Sequence, residues 1–197
     1  MAGVARKIAT YQDVLDAPEH LTAQVIDGEL HLHPKPRLAH VAGASELGAE
    51  LSVGTRRRGG DGGTPGWLIL DEPELHLGPE PQILVPDLAG YRRSRLPQLP
   101  DAAFLTLAPD WVCEVLSPST QKLDRGRKAD LYARERVGHL WFFDVDARQI
   151  EAFVLESGRW VRLGAYAEAG ARMAPFEELS LDVPGLLSAV GPIADEG

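Results

Sequence analysis

Cysteine is almost absent from this sequence. Its single Cys113 cannot form an internal disulfide or supply a cysteine-rich zinc site, which excludes a stapled scaffold and a zinc finger. No apolar run approaches the roughly 20 residues that a membrane helix requires. The N-terminal "MAGVARKIATYQDV" has no apolar block of the secretory kind. Positive charge is in deficit: 20 Lys and Arg against 29 Asp and Glu give a formal net charge of −9. That balance argues against broad, non-specific adhesion to nucleic acid, which relies on a basic surface. Internal repeats and low-complexity segments are also lacking. These absences lead to the expectation of a cytoplasmic protein that does not enter a membrane.

The 197 residues, 44% of them hydrophobic and 25% charged, suffice for one domain, 1–197, with a substantial core. Basic residues cluster at Arg56-Arg57-Arg58, at Arg92, Arg93 and Arg95, and across Lys122, Arg125, Arg127 and Lys128. Each cluster reads first as a solvated face and only second as a local basic groove.

Thr10 followed by Asp13 marks a short helix reaching about Asp16. "AQVIDGELHLHP" predicts two alternating strands joined at Asp27-Gly28, a strong hairpin signal. Pro36 opens a long helix in which Leu38, Val41, Ala42, Leu47 and Leu51 recur at helical spacing. It should end in the loop "RRRGGDGGTPG". "WLILDEPELHL" reads as one or two strands interrupted at Pro73, and "QILVPDLAGYR" as another with Asp87 in its middle. Residues 92–108 read as a surface excursion. A strand over 111–116 follows, then a helix from about Lys122 to Arg136, stopped by Gly138. "HLWFFDVD" and "QIEAFVLESGRWVRL" supply closing strands with a hairpin at Ser157-Gly158, and "VPGLL" a terminal turn. The class is α+β, a mixed sheet flanked by helices.

The chemistry concentrates in "WVCEVLSPST". Glu114 lies inside a strand that otherwise looks buried, and a lone buried carboxylate is costly unless an Arg, a Lys or a metal ion offsets it. Alternation places Glu114 with Val112 and Leu116, and Trp111, Cys113 and Val115 on the opposite face. Asp87 sits in an equally apolar stretch. If the two strands are neighbours their acids converge, and like charges held close call for a cation between them. Mg²⁺ suits that role, being held by one or two carboxylates with water and phosphate. Lys128, on the following helix with Asp124 one turn before and Tyr132 one turn after, can point back at the same place. There it would orient a water or stabilise the transition state of phosphate chemistry.

The ordered set "VPDLAG", "WVCEVLSPST" and "DRGRKADLYARERVGHLWFFDVD" resembles the Uma-two type family of restriction-endonuclease-like proteins, within the PD-(D/E)XK nuclease superfamily. "VIDGELHLHPKP" and the helix carrying His40 resemble its N-terminal half, so the likeness spans about residues 10 to 165. The resemblance implies a restriction-endonuclease-like central mixed sheet flanked by helices, and an endonuclease that hydrolyses phosphodiester bonds of DNA. It implies Asp87 and Glu114 as ligands of Mg²⁺, with Mn²⁺ as an alternative, and the main-chain carbonyl of Val115 as a third. The superfamily pattern places a lysine where this chain has Leu116, so the role passes to Lys128. Glu29 would be the additional N-terminal acid, and Tyr132 would hydrogen-bond a site acid or a phosphate. A homodimer is the default assembly for double-strand cutting.

Plainer readings stand beside these. Glu114 can be a structural acid paired with Arg125, Asp87 a turn residue after Pro86, Lys128 a partner of Asp124, and Glu29 an exposed acid beside a turn. His31, His33 and His40 raise a zinc site, without cysteine or an HExxH helix to support it. Cys113, Trp141, Phe142 and Phe143 read as core. The rival functions are an inactive nuclease fold that binds nucleic acid or a protein partner, and carboxylate acid/base chemistry of the glycosidase type.

Overall fold

The computed structural model describes residues 8–58, 66–78 and 82–191. A short helix α1 (Tyr11–Leu15) opens the chain, and the Asp13 carboxylate accepts the Thr10 N–H at 2.8 Å. Strands β1 (Leu21–Ile26) and β2 (Glu29–Pro34) pair antiparallel from Leu21↔Pro34 to Ile26↔Glu29. The two-residue link needs positive φ at both positions, and Asp27 (51°) and Gly28 (73°) supply it. Helix α2 (Leu38–Arg58) follows, then β3 (Trp67–Asp71), β4 (Leu75–Leu77), β5 (Gln82–Leu84), β6 (Leu88–Arg92) and β7 (Trp111–Leu116). The glycine-rich loop expected after α2 lies outside the described residues.

After β7 the chain forms one continuous helical stretch: α3 (Gln121–Leu123), a π-helical turn (Asp124–Lys128) and α4 (Ala129–Arg134). Strands β8 (His139–Asp144), β9 (Gln149–Glu156), β10 (Arg159–Tyr166), β11 (Ala169–Ala171) and β12 (Leu181–Asp182), and the turn α5 (Val183–Leu186), complete the fold. The central sheet has six strands in the order β10-β9-β8-β7-β6-β3, and the order β2-β1-β5-β4 forms a second sheet. Only the β7–β8 pair of the central sheet is parallel, joined through the helical crossover.

Strand β7 is buried along its whole length because both of its faces are covered. On one face Trp111, Cys113 and Val115 pack with Leu47 and Leu51 of α2 and with Trp141 and Phe143 of β8. On the other, Val112 and Leu116 pack with Leu131 and Tyr132 of α4. Each such side chain contributes about 1.5–3 kcal/mol relative to exposure.

Three expectations need correction. "QILVPDLAGYR" is not one strand: it breaks at Val85-Pro86-Asp87, with β5 in the second sheet and β6 in the central one. The missing N–H of Pro86 cannot serve a ladder, so the break falls there. Leu38 (86% exposed) and Val41 (43% exposed) are not core, although Leu47 and Leu51 are. The apolar repeat begins before α2 reaches the sheet. The helix that follows β7 is not uniformly α, since the Ala129 N–H reaches the Asp124 carbonyl five residues back.

Candidate active site

Glu114 is 2% exposed in the middle of β7 and faces neither solvent nor Arg125. Arg125 pairs with Glu151 and lies over the Phe142 ring, which removes the Arg125 reading of Glu114. Lys128 Nζ donates to Glu114 Oε2 at 2.7 Å, and the Tyr132 hydroxyl donates to Oε1 at 2.6 Å. The π turn and the first turn of α4 together carry Asp124, Lys128 and Tyr132 on the side that faces β7. Lys128 is also buried, 2% exposed, with Asp124 Oδ1 at 3.4 Å, so the pair is no surface ion pair.

Burial pushes the Glu114 carboxyl up to about 8; the Lys128 ammonium pulls it down, while Asp124 and Asp87 add to the rise. Burial works to lower the Lys128 pKa, but the acids Glu114, Asp124 and Asp87 outweigh it and hold the ammonium above the ordinary lysine range. Each shift rests on the charge of the other group, so Glu114 and Lys128 titrate as one coupled pair. Burial and the nearby Glu114 carboxylate also raise the Tyr132 hydroxyl, which stays a proton donor.

Asp87 arrives from the neighbouring strand. Because β6 pairs with Leu88 opposite Cys113, Asp87, one residue earlier, comes alongside Glu114. Its Oδ2 accepts the Val115 N–H at 2.7 Å, and its Oδ1 lies 2.6 Å from His40 Nε2. An ionised carboxylate only accepts, so His40 donates from Nε2. The β6–β7 ladder ends at Leu88↔Cys113, leaving the Val115 edge to the Asp87 side chain. In a strand the carbonyl of a residue shares the edge of its N–H, so the Val115 carbonyl faces the same way.

A cavity of about 330 Å³ opens above these groups, with Asp87, Glu114 and Lys128 among its lining. The hairpin contributes Gln24 and His33 to its wall, and the turn after β7 contributes Ser117 and Thr120. Gln24 is buried, its Oε1 accepting the Val85 N–H at 3.0 Å, which ties the hairpin to the strand break. Burial lowers the His33 pKa and the nearby Lys128 adds to it, favouring the neutral ring.

The remaining candidates divide. Glu29 meets Arg127 at 2.5 Å and His31 at 3.7 Å, and it is not among the residues that line the cavity. The three histidines do not gather: His31 and His33 stack on one another along β2, and His40 goes to Asp87. Two further acids line the cavity. Asp124, placed by the sequence one helical turn before Lys128, is buried beside it. Glu72 stands at the cavity with φ of +44°, its N–H donating to the Asp87 carbonyl at 3.0 Å. Nothing in "LDEPEL" marks a glutamate in that backbone conformation.

A central mixed sheet flanked by helices is the fold of restriction-endonuclease-like nucleases. Residues 8–184 match the Uma2 family, described as "Putative restriction endonuclease", and the chain belongs to that nuclease family. Among solved structures it is similar to one from Anabaena variabilis described as "a putative nuclease belonging to DUF820", at 22% identity and a TM-score of 0.70. That likeness covers 91% of this chain and 98% of the other, and it bears on the fold. No curated protein matches the chain. Among the described residues no helix is long and apolar enough to cross a membrane.

Proposed function

We propose that this protein is a Mg²⁺-dependent endonuclease that hydrolyses phosphodiester bonds of DNA, with Mn²⁺ as an alternative ion. The observation that carries the reading is the convergence of Asp87, Glu114 and Lys128 under one cavity. Membership of a restriction-endonuclease family supports DNA as the substrate. The donor set fits a hard cation: Asp87, Glu114 and the Val115 carbonyl offer only oxygen. Among the described residues no three His, Cys, Asp or Glu side chains form a ready-made cage. An ion that takes one or two carboxylates and keeps several waters needs no such cage. Bound there, the ion would lower the pKa of a water and neutralise charge on the scissile phosphate.

The chain's own residues divide the remaining work. The Val115 N–H and His40 fix the orientation of Asp87 from two sides, and Tyr132 fixes that of Glu114. Lys128, charged and dry, is placed to stabilise negative charge that develops on the phosphate. Asp124 holds the ammonium toward the cavity. Lys128 thus answers for the position that Leu116 occupies in β7, where Leu116 is a core residue.

Titration calorimetry with Mg²⁺ and Mn²⁺ tests the reading. Binding should be present in the wild type and lost in both Asp87→Ala and Glu114→Ala. Equal binding in wild type and both variants removes the site.

A further inference from the structure

A second cavity, of about 390 Å³, lies against the same His40–Asp87 pair. It shares Lys35, Pro36, His40, Glu72 and Asp87 with the first. Its other wall is the first part of α2, through Val41, Ala44 and Ser45. Val41 is one of the apolar side chains of α2 that the sheet does not cover. Each volume sits at the lower end of the roughly 300–1,000 Å³ typical of small-ligand pockets. That is the size class of a single nucleotide and far below that of a duplex.

Charge and depth point the same way. Several arginines that could track the backbone of a duplex are engaged within the chain: Arg95 pairs with Asp110, Arg125 and Arg162 with Glu151, Arg127 with Glu29, and Arg134 with Asp27. Lys35, at the junction of the two cavities, makes no ion pair among the described residues. Glu114 and Lys128 lie buried at the bottom, so a phosphate has to descend to them. A base-paired step carries its complementary strand with it, whereas an unpaired nucleotide can be turned out and inserted. Asp71 lines only the second cavity, beside the shared Glu72, and Lys128 lines only the first. The two acids would repel a phosphate in the second cavity and accept hydrogen bonds from a sugar hydroxyl or a base amino group.

Resting on the nuclease reading above, we infer that the two cavities hold the two nucleosides flanking the scissile phosphate of an unpaired DNA strand. The phosphate lies over Asp87 where the cavities meet. Lys35 meets the strand at the junction, the first cavity holds one nucleoside against the hairpin, and the second holds the other against Val41 and Ser45 of α2.

The test uses the full chain in Ca²⁺, a hard cation that replaces Mg²⁺, with fluorescence anisotropy of a labelled oligonucleotide, alone and annealed to its complement. The single strand should bind at least about tenfold more tightly than the duplex. Ser45→Trp and Val41→Asp alter the second cavity from exposed positions. Each should weaken single-strand binding by about tenfold or more and leave duplex binding, Mn²⁺ affinity and thermal unfolding unchanged. A duplex bound as tightly as the single strand, or full single-strand affinity in both variants, would overturn the inference. Duplex preference with Mn²⁺ binding intact would overturn this inference alone. Failure of both forms to bind would overturn it together with DNA as the substrate.

Discussion

Replacing Lys128 by methionine keeps most of the buried stem and removes the ammonium that faces Glu114 across 2.7 Å. A buried pair broken on one side typically costs about 3–5 kcal/mol, because the surviving charge is left uncompensated. Glu114 has a way to avoid that state, since its carboxyl already titrates near 8 with Lys128 present and must titrate higher without it. At pH 7 both proteins therefore hold the proton, and the variant forfeits a charged hydrogen bond, about 1.5–3 kcal/mol. Above pH 8 the wild-type acid ionises beside its ammonium while the variant's does not. The gap should then widen by about 1.4 kcal/mol per pH unit, toward the full cost of a broken pair. For a chain of this length 1 kcal/mol shifts Tm by about 2–4 °C. Thermal unfolding followed by circular dichroism in chelator should give a deficit of about 3–12 °C at pH 7, growing steadily between pH 8 and 9.5. Adding Glu114→Gln to Lys128→Met should remove the growth. A deficit that stays constant across this range would refute the coupling of Lys128 to the Glu114 proton.

The wild type alone has a related signature in chelator. The Glu114 pKa is raised on folding from 4.5 to about 8, so its contribution to stability is fully present below pH 4.5 and is lost as pH rises toward 8. The unfolding free energy from denaturant titration should fall by a few kcal/mol over that window and level off above it, and Glu114→Gln should flatten the curve. A flat wild-type curve would mean that Glu114 is not desolvated. His40→Phe, which retains a ring but no donor to Asp87, should weaken Mn²⁺ binding by about 10–100-fold, with partial recovery in His40→Gln. Unaltered binding in His40→Phe would show that Asp87 needs no second support. Lys128→Ala should lower turnover by about 10²-fold or more while changing metal affinity little. Arg at this position should not restore it fully, because a planar fork differs from a point charge. Wild-type turnover in Lys128→Ala would remove Lys128 from the chemistry.

The parts of the fold with strict local codes were legible in the sequence. The Asp27-Gly28 hairpin, the Thr10–Asp13 start of α1 and the alternation of β7 around Glu114 follow from backbone geometry within a few residues. The break at Val85-Pro86-Asp87 was not, because both halves are apolar and only the partition of the chain between two sheets separates them. Leu38 and Val41 continue the apolar spacing of α2 although both stay exposed, since periodicity does not show where a helix meets its sheet. At the site, Asp87, Glu114, Lys128 and Tyr132 were identifiable from their order along the chain, and the structure brings them together. Glu29 satisfied the same pattern, but Arg127 engages it and the cavity wall is made by other residues. Asp124 was placed beside Lys128 by its spacing, but its burial at the cavity, like the place of Glu72, depends on the π turn and on how the strands meet, which are properties of the assembled helix and sheet.

The most direct measurement is cleavage of circular DNA, which has no ends for an exonuclease to enter. Single-stranded and supercoiled circles would be incubated with the wild type in Mg²⁺, with the wild type in chelator, and with Asp87→Asn in Mg²⁺. The account predicts linear or nicked products only for the wild type in Mg²⁺, with Asp87→Asn indistinguishable from the chelator control. Full cleavage by Asp87→Asn or in chelator, or intact circles with a wild type that binds Mg²⁺, would contradict it.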